Sequence, residues 1–462
     1  MTKLEVARLI PENQKQVQMF IDDIQHRSKL PGISVAMSVN GDMLETAAGV
    51  SDVDLNHSMC PDMHFELGCL NKFLIAIVAL ELFNNKFIDI EKNISYYLPE
   101  LNGRHGNIIK VKHLLSHTAG YQGENLADPD IAQDYSWQKF SQTFNQRLML
   151  YEPGTVFDYS HSAAVILGKI IEVVTQRKVQ DLTRIHILEP LNIKIISDEY
   201  ASSSDCVSGH IFNPEIAQLL KSIPAERCEF WSTSLGGPYI TMRDLVKIGR
   251  AIVEGSSIFT STTIELLLRQ VIKLPGLFVG KVAEYPYFVF GLGCARFPNG
   301  SYGVRSNSCG QCCALRFDKE NKLVIAVGIN TNAANIRDLI IDKLFNAMLF
   351  ADAPAIPELY PSPQTKLEMN ELVGTYLGHE NCNINISLEN GQLALRIGHN
   401  PGITHDTKAI LITWVKDNHG CIEPSHTAVP IPIGFFRNGI SKRIGLMVGG
   451  NAFKKREIDY RQ

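Results

Sequence analysis

The stretch Phe65 to Phe83, FELGCLNKFLIAIVALELF, joins a short polar cluster to an apolar run without a turn residue, and Cys69 and Lys72 stand three apart at its start. If a helix begins near Cys69, residues three apart share a face, and the Lys72 ammonium approaches the sulfur. The positive end of the helix dipole and a nearby cation both favour thiolate over thiol, and the thiolate is the nucleophile. The chemistry open to such a pair is covalent, with the sulfur attacking an acyl carbonyl. The competing reading is packing, because cysteine is among the most frequently buried residue types.

The surrounding pattern predicts the elements that hold this pair. Residues 33 to 50 alternate apolar and polar around Asn40-Gly41, a hairpin signal, and Val17, Phe20, Ile21 and Ile24 before them have helix spacing. From about 66 to 235 the signals are mostly helical, including Leu70 to Asn85 and Glu215 to Ile223. Thr241 and Asp244 form a capping pattern ahead of a helix closed by Gly255. Strands return at YFVFGLGCARF and KLVIAVGINTN, before a last amphipathic helix, IRDLIIDKLFNAMLF. The α/β part is therefore discontinuous, an antiparallel sheet flanked by helices plus a mostly helical region, spanning residues 1–352. Four prolines in 352–366 read as a stiff linker over 353–366. Residues 367–462 alternate around Asn390-Gly391 and read as a small all-β domain.

Five blocks spread over residues 15 to 350 carry a resemblance: LPGISVAMSVNGD, LLSHTAGY, YEPGTVFDYSHSAAVILGKIIEVVT, GGPYITMRDLVKIGRAI and FGLG. With Cys-Leu-Asn-Lys at 69–72, they resemble the serine beta-lactamase and penicillin-binding-protein superfamily, in particular its class C beta-lactamase, esterase and transacylase branch. That family has Ser-x-x-Lys where this chain has Cys69 and Lys72, and the serine is its nucleophile. Its Tyr-x-Asn motif is matched by Tyr159-Ser160-His161, with an imidazole in place of the amide. By this resemblance Tyr159 relays protons with Lys72, and His161 adds a titratable group. The third motif, a basic residue, then Ser or Thr, then Gly, aligns best with Ser308-Cys309-Gly310, where the basic residue is missing. The resemblance implies an oxyanion hole made by the backbone N–H groups of Cys69 and Gln311, with Arg305 as a nearby charge for a substrate carboxylate. His117, in LLSHTAGY, is read as part of a structural turn.

A thiol nucleophile forms an acyl thioester, close in energy to the thioester of a carrier protein or coenzyme A. The expectation is an acyltransferase or cyclase that passes an acyl group to an amine, alcohol or carbon nucleophile in biosynthesis. Two alternatives stand beside it: a hydrolase of esters, amides or peptides, and a binding or scaffold protein that has lost activity. The expected partner is a small acyl substrate, free or borne by an acyl carrier protein or coenzyme A.

Composition narrows the remaining classes. The chain has 462 residues, 45% hydrophobic and 20% charged, with a net charge of −4, so a sizeable core is expected and no basic field draws nucleic acid or anionic lipid. Phe73 to Leu80 is too short to cross a bilayer, and no membrane span is expected. The start MTKLEVARLIPENQKQ has no signal-peptide core, which points to the cytoplasm. The ten cysteines read as thiols in such a compartment. Cys309, Cys312 and Cys313 lack a second ligand pair, so neither metal nor cofactor is expected.

Overall fold

The computed structural model describes residues 10–123, 135–196, 203–213, 218–222, 238–273, 289–297, 299–308, 310–349, 367–378, 382–399, 410–416, 419–422, 431–437, 444–448 and 451–456. The expected linker at 353–366 and Cys309 lie outside the described residues.

Helix α1 (Ile10–Arg27) leads into strands β1 (Gly32–Val39) and β2 (Asp42–Asp52). They turn through Asn40 and Gly41, whose φ values of 50° and 95° are those an Asn-Gly hairpin turn requires. Helix α2 (Asn71–Asn84) follows a single 3-10 turn, Gly68–Leu70. After shorter helices, α3 (His161–Thr175) and, further on, α4 (Met242–Val253) follow. Thr241 caps α4 by accepting from the Asp244 N–H at 3.1 Å. Strands β3 (Tyr302–Ser308), β4 (Gln311–Asp318) and β5 (Leu323–Ile329) then precede helix α5 (Ala334–Leu349).

These strands form the middle of one antiparallel sheet in the order β2–β1–β5–β4–β3, with short strands at both ends. Successive side chains point to opposite faces, which divides the core in two. Cys313, Leu315 and Phe317 of β4 face the helical layer with α2, α3 and α4. Cys312 and Ala314 face α1 and α5, where Ile21, Ile340 and Phe345 are fully buried. Helix α2 lies inside the first of these cores, with every residue from Asn71 to Leu80 buried. That is why its apolar run has no polar face.

The helical region departs from expectation at one point. Gln218–Lys221 is a strand paired with His210–Asn213, where helix was expected over 215–223. Lys221 reaches the buried Asp52 carboxylate at 2.6 Å, and the Ser208 hydroxyl donates to the same group at 2.6 Å, which ties this hairpin to β2.

Eight short strands between Gly374 and Lys455 pair in sequence, and the first also pairs with the last, closing a barrel. Its interior is filled by Tyr376, Leu393, Leu395, Phe435, Leu446 and neighbours, as a barrel of eight strands allows. No helix among the described residues is long and apolar enough to cross a membrane.

Candidate active site

Cys69 sits in the 3-10 turn that opens α2 and is partly exposed, whereas Gly68 and Leu70 beside it are buried. Gly68 has φ +51°, and a Cβ there would meet Ser306 Oγ at 2.5 Å and Ser308 Cβ at 2.9 Å. A glycine is therefore required for the Cys69 turn to lie against β3.

Tyr159 precedes α3, and Ser160 caps that helix by accepting from the Ala163 N–H at 3.1 Å. The Tyr159 hydroxyl hydrogen-bonds Cys69; desolvation, then the charge on Cys69, then that bond, hold the phenol protonated well above its usual range. Lys72, buried on the first turn of α2, places Nζ 5.2 Å from the centre of the Tyr159 ring. The His161 ring meets the Tyr159 ring edge-on at 5.2 Å. The structure thus brings Cys69, Lys72, Tyr159 and His161 into one cluster.

His117 joins the cluster although its motif reads as a turn. It is left-handed, with φ 52°, and its ring lies 4.6 Å from that of Tyr159 at an angle of 33°. Its Nδ1 accepts the Ser160 N–H at 3.2 Å. Burial, aided by the Lys72 charge, lowers its pKa to about 3, so the imidazole is neutral at ordinary pH. It braces Tyr159 from the side.

The third-motif residues are distributed differently from the expectation. On β3, Ser306 and Ser308 face the Gly68–Leu70 turn, whereas Arg305 and Asn307 face α5. Arg305 donates to Asp338 at 2.7 Å, across the sheet from Cys69, and this commits its charge to the back of the sheet. Gln311 is buried, its Oε1 accepting the Glu66 N–H at 3.0 Å and its Nε2 donating to Val207 O at 3.3 Å. It pairs with Ser308, and because the Phe297 N–H bonds Ser301 O, the even-numbered residues of β3 exchange their backbone bonds with β4, so the Gln311 N–H is directed at β3. Gly310, φ +73°, packs on the 210–221 hairpin, its carbonyl accepting the His210 N–H at 2.9 Å.

Ser306 of β3, two positions earlier than the aligned motif, touches Cys69. The Cys69 N–H donates to Ser306 Oγ at 2.9 Å. The Phe297 N–H reaches Ser301 O at 2.8 Å, so the odd-numbered backbone groups of this run face away from β4. The Asn307 N–H belongs to that set.

Among the described residues no group of three or more His, Cys, Asp or Glu could hold a metal ion. The arrangement can do acyl chemistry: a thiol at a helix start, a protonated phenol bonded to it, and a cation over the phenol ring.

Comparison with known proteins agrees with this geometry. Penicillin-binding protein 4 of Amycolatopsis lactamdurans is 23% identical over 394 residues, covering 79% of this chain and 98% of that protein. A beta-lactamase of Yersinia enterocolitica is 22% identical over 193 residues, 42% of this chain and 47% of that protein. Among solved structures, SurE superposes with a TM-score of 0.74 at 19% identity, covering 96% of this chain and 99% of that one. The D-amino acid amidase of Ochrobactrum anthropi SV3 has the same fold, with a TM-score of 0.60 at 19% identity over 73% of this chain and 99% of that one. The Beta-lactamase family model matches residues 17–340, well over half of the chain. A chain with this sheet and this helix start, matched over that length, belongs to the Beta-lactamase family, whose members are acyl-enzyme hydrolases and transferases.

Proposed function

We propose that the chain hydrolyses an amide, ester or peptide through an acyl-Cys69 intermediate. The observation that carries this reading is the hydrogen bond between Tyr159 and Cys69, with Lys72 over the phenol ring. Tyr159 is held protonated, so it enters the reaction as a proton donor and not as the base that takes the thiol proton. Cys69 attacks as a thiolate supported by the Tyr159 O–H and the Lys72 cation. The S–C bond forms, and the oxyanion is met by the backbone N–H groups of Cys69 and, on the open edge of β3, Asn307. The C–N or C–O bond then breaks, and the leaving group takes the Tyr159 proton. In the second half the Tyr159 phenolate takes a proton from water, the new O–C bond forms, and the S–C bond breaks to release acid and thiolate. Amide donors come first, because the relatives include a penicillin-binding protein and the fold neighbours include a D-amino acid amidase.

A second reading, transfer of the acyl group to an amine or alcohol, is favoured by the thiol itself. An acyl-Cys69 thioester is a better donor to an amine than an oxygen ester would be.

Intact mass after incubation with p-nitrophenyl esters, acyl thioesters and D-amino acid amides tests both. An acyl adduct on the native chain that is absent from Cys69→Ala supports covalent catalysis. Free acid as the product supports hydrolysis, and a product carrying an added amine supports transfer. Turnover that persists in Cys69→Ala overturns both.

A further inference from the structure

We propose that the Ser306 hydroxyl plugs the oxyanion position and must be displaced by the substrate carbonyl, making Ser306 a specificity-determining residue of the site. This rests on the acyl-Cys69 reading above and goes beyond it.

An oxyanion donor has to lie about 2.7–3.1 Å from the oxygen it stabilises. Ser306 Oγ is 2.9 Å from the Cys69 nitrogen, so a neutral hydroxyl oxygen already occupies the place that a substrate oxygen would take. Gly68 makes that seat possible, since a Cβ on it would stand 2.5 Å from the same oxygen. Ser306 is 2% exposed, which puts the hydroxyl at the floor of the site rather than at its rim.

The backbone beneath the plug is fixed. Ser306 pairs with Cys313 of β4, and its carbonyl accepts from Arg337 Nη1 at 2.9 Å. The same guanidinium reaches Asn307 Oδ1 at 2.8 Å and Cys313 O at 3.3 Å. Freeing the Cys69 N–H therefore requires rotation about χ1 of Ser306, not movement of the strand. An arriving carbonyl must replace one hydrogen bond before it gains the N–H. A small donor has no remote contacts to offset that loss, whereas a larger one draws on binding energy elsewhere. The plug thus selects against small acyl donors and shields the Cys69 thioester route from adventitious esters.

The test compares two reactions of Cys69 in the full chain. Acylation by p-nitrophenyl acetate needs the oxyanion position; alkylation by iodoacetamide is a displacement at saturated carbon and does not. The native chain, Ser306→Gly and Ser306→Ala are followed by intact mass, with thermal melting recorded for each. The expected result is acylation faster in both variants by about tenfold, the scale of one neutral hydrogen bond, with alkylation unchanged. Ser306→Ala keeps the strand residue a normal one, so the result does not depend on the glycine variant folding. Equal rise of acylation and alkylation would mean only a more exposed thiol and would overturn the plug. Acylation slowed in the variants would assign the hydroxyl to transition-state stabilisation and would also overturn it, as would acylation at the native rate. If iodoacetamide labels Cys69 and no acyl adduct forms on any of the three chains, the acyl-Cys69 reading fails together with the plug.

Discussion

Tyr159 is held from three sides: His117 lies 4.6 Å from its ring, Lys72 lies 5.2 Å from the ring centre, and its hydroxyl bonds Cys69. Tyr159→Phe keeps the first two contacts and removes the hydroxyl with its bond to Cys69. Acylation of Cys69 is expected to fall by about 10²-fold, the usual worth of a positioned proton donor, with an unchanged melting temperature. A drop in melting temperature with acylation intact would make the tyrosine structural. Arg305 provides the opposite case. Its partner Asp338 is buried and also bonded by Arg337, so Arg305→Ala is expected to cost about 1–3 kcal/mol of stability in a denaturant titration, with KM for a carboxylate-bearing donor unchanged. That Cys69, Lys72, Tyr159 and His161 meet in space was legible in the sequence, because motif spacing carried them. Ser306 was not, yet its signal was present: in YGVRSNS the alternation of a strand puts Ser306 and Ser308 on one face and Arg305 and Asn307 on the other. The motif matched by residue type falls instead on Gly310, in the turn, and beside Arg305, whose side chain meets Asp338 on the other face.

At the scale of elements, the Asn40-Gly41 and Asn390-Gly391 hairpins and the Thr241 cap were legible because a local backbone requirement fixes the residue type. The hairpin at 210–221 was not. Its apolar pair Leu219 and Leu220 fits one turn of helix as well as a strand, and what decides it is pairing with Ile211 and Phe212 and the Lys221 link to Asp52. The segment 110–118 has a property that spacing could not reveal. Burial, helped by nearby lysines, lowers the pKa of His113 to about 4 and that of His117 to about 3. The folded chain keeps both neutral, whereas the unfolded chain takes up protons as pH falls below about 6.5. The unfolded state therefore binds more protons, and the contribution is fully present above pH 6.5 and lost on acidification toward pH 3. For His117 alone the loss between pH 6.5 and 4 is roughly 3 kcal/mol. His117→Asn, whose side-chain oxygen can accept the Ser160 N–H and which tolerates the left-handed backbone, is expected to flatten the acid limb of melting temperature against pH. An acid limb of the same slope in this variant would assign the sensitivity to other groups.

At the scale of the whole molecule, the barrel was expected as a separate all-β unit, and its alternation was readable. Its docking was not, because the contact joins residues 294 positions apart: Asp158 Oδ1 accepts the Ala452 N–H at 3.1 Å. Phe436 and Ala452 of the barrel are buried with Leu150, Tyr151, Val156 and Phe157 of the loop before Tyr159, and the Tyr159 ring packs on the same cluster. A second bond, from Gln122 Nε2 to Gly378 O at 2.8 Å, lies on the neighbouring segment. The barrel therefore grips the chain one residue before Tyr159. Asp158→Asn retains an acceptor oxygen and is expected to behave as the native chain. Asp158→Ala strands the buried Ala452 N–H and is expected to lower stability by about 1–3 kcal/mol. It should also slow Cys69 acylation several-fold, because Tyr159 loses the anchor that aims its hydroxyl. If Asp158→Ala lowers the melting temperature and leaves acylation at the native rate, the barrel supports the loop without setting the position of Tyr159. If both fall together in alanine and neither in asparagine, the barrel is part of what holds Tyr159 in register with Cys69.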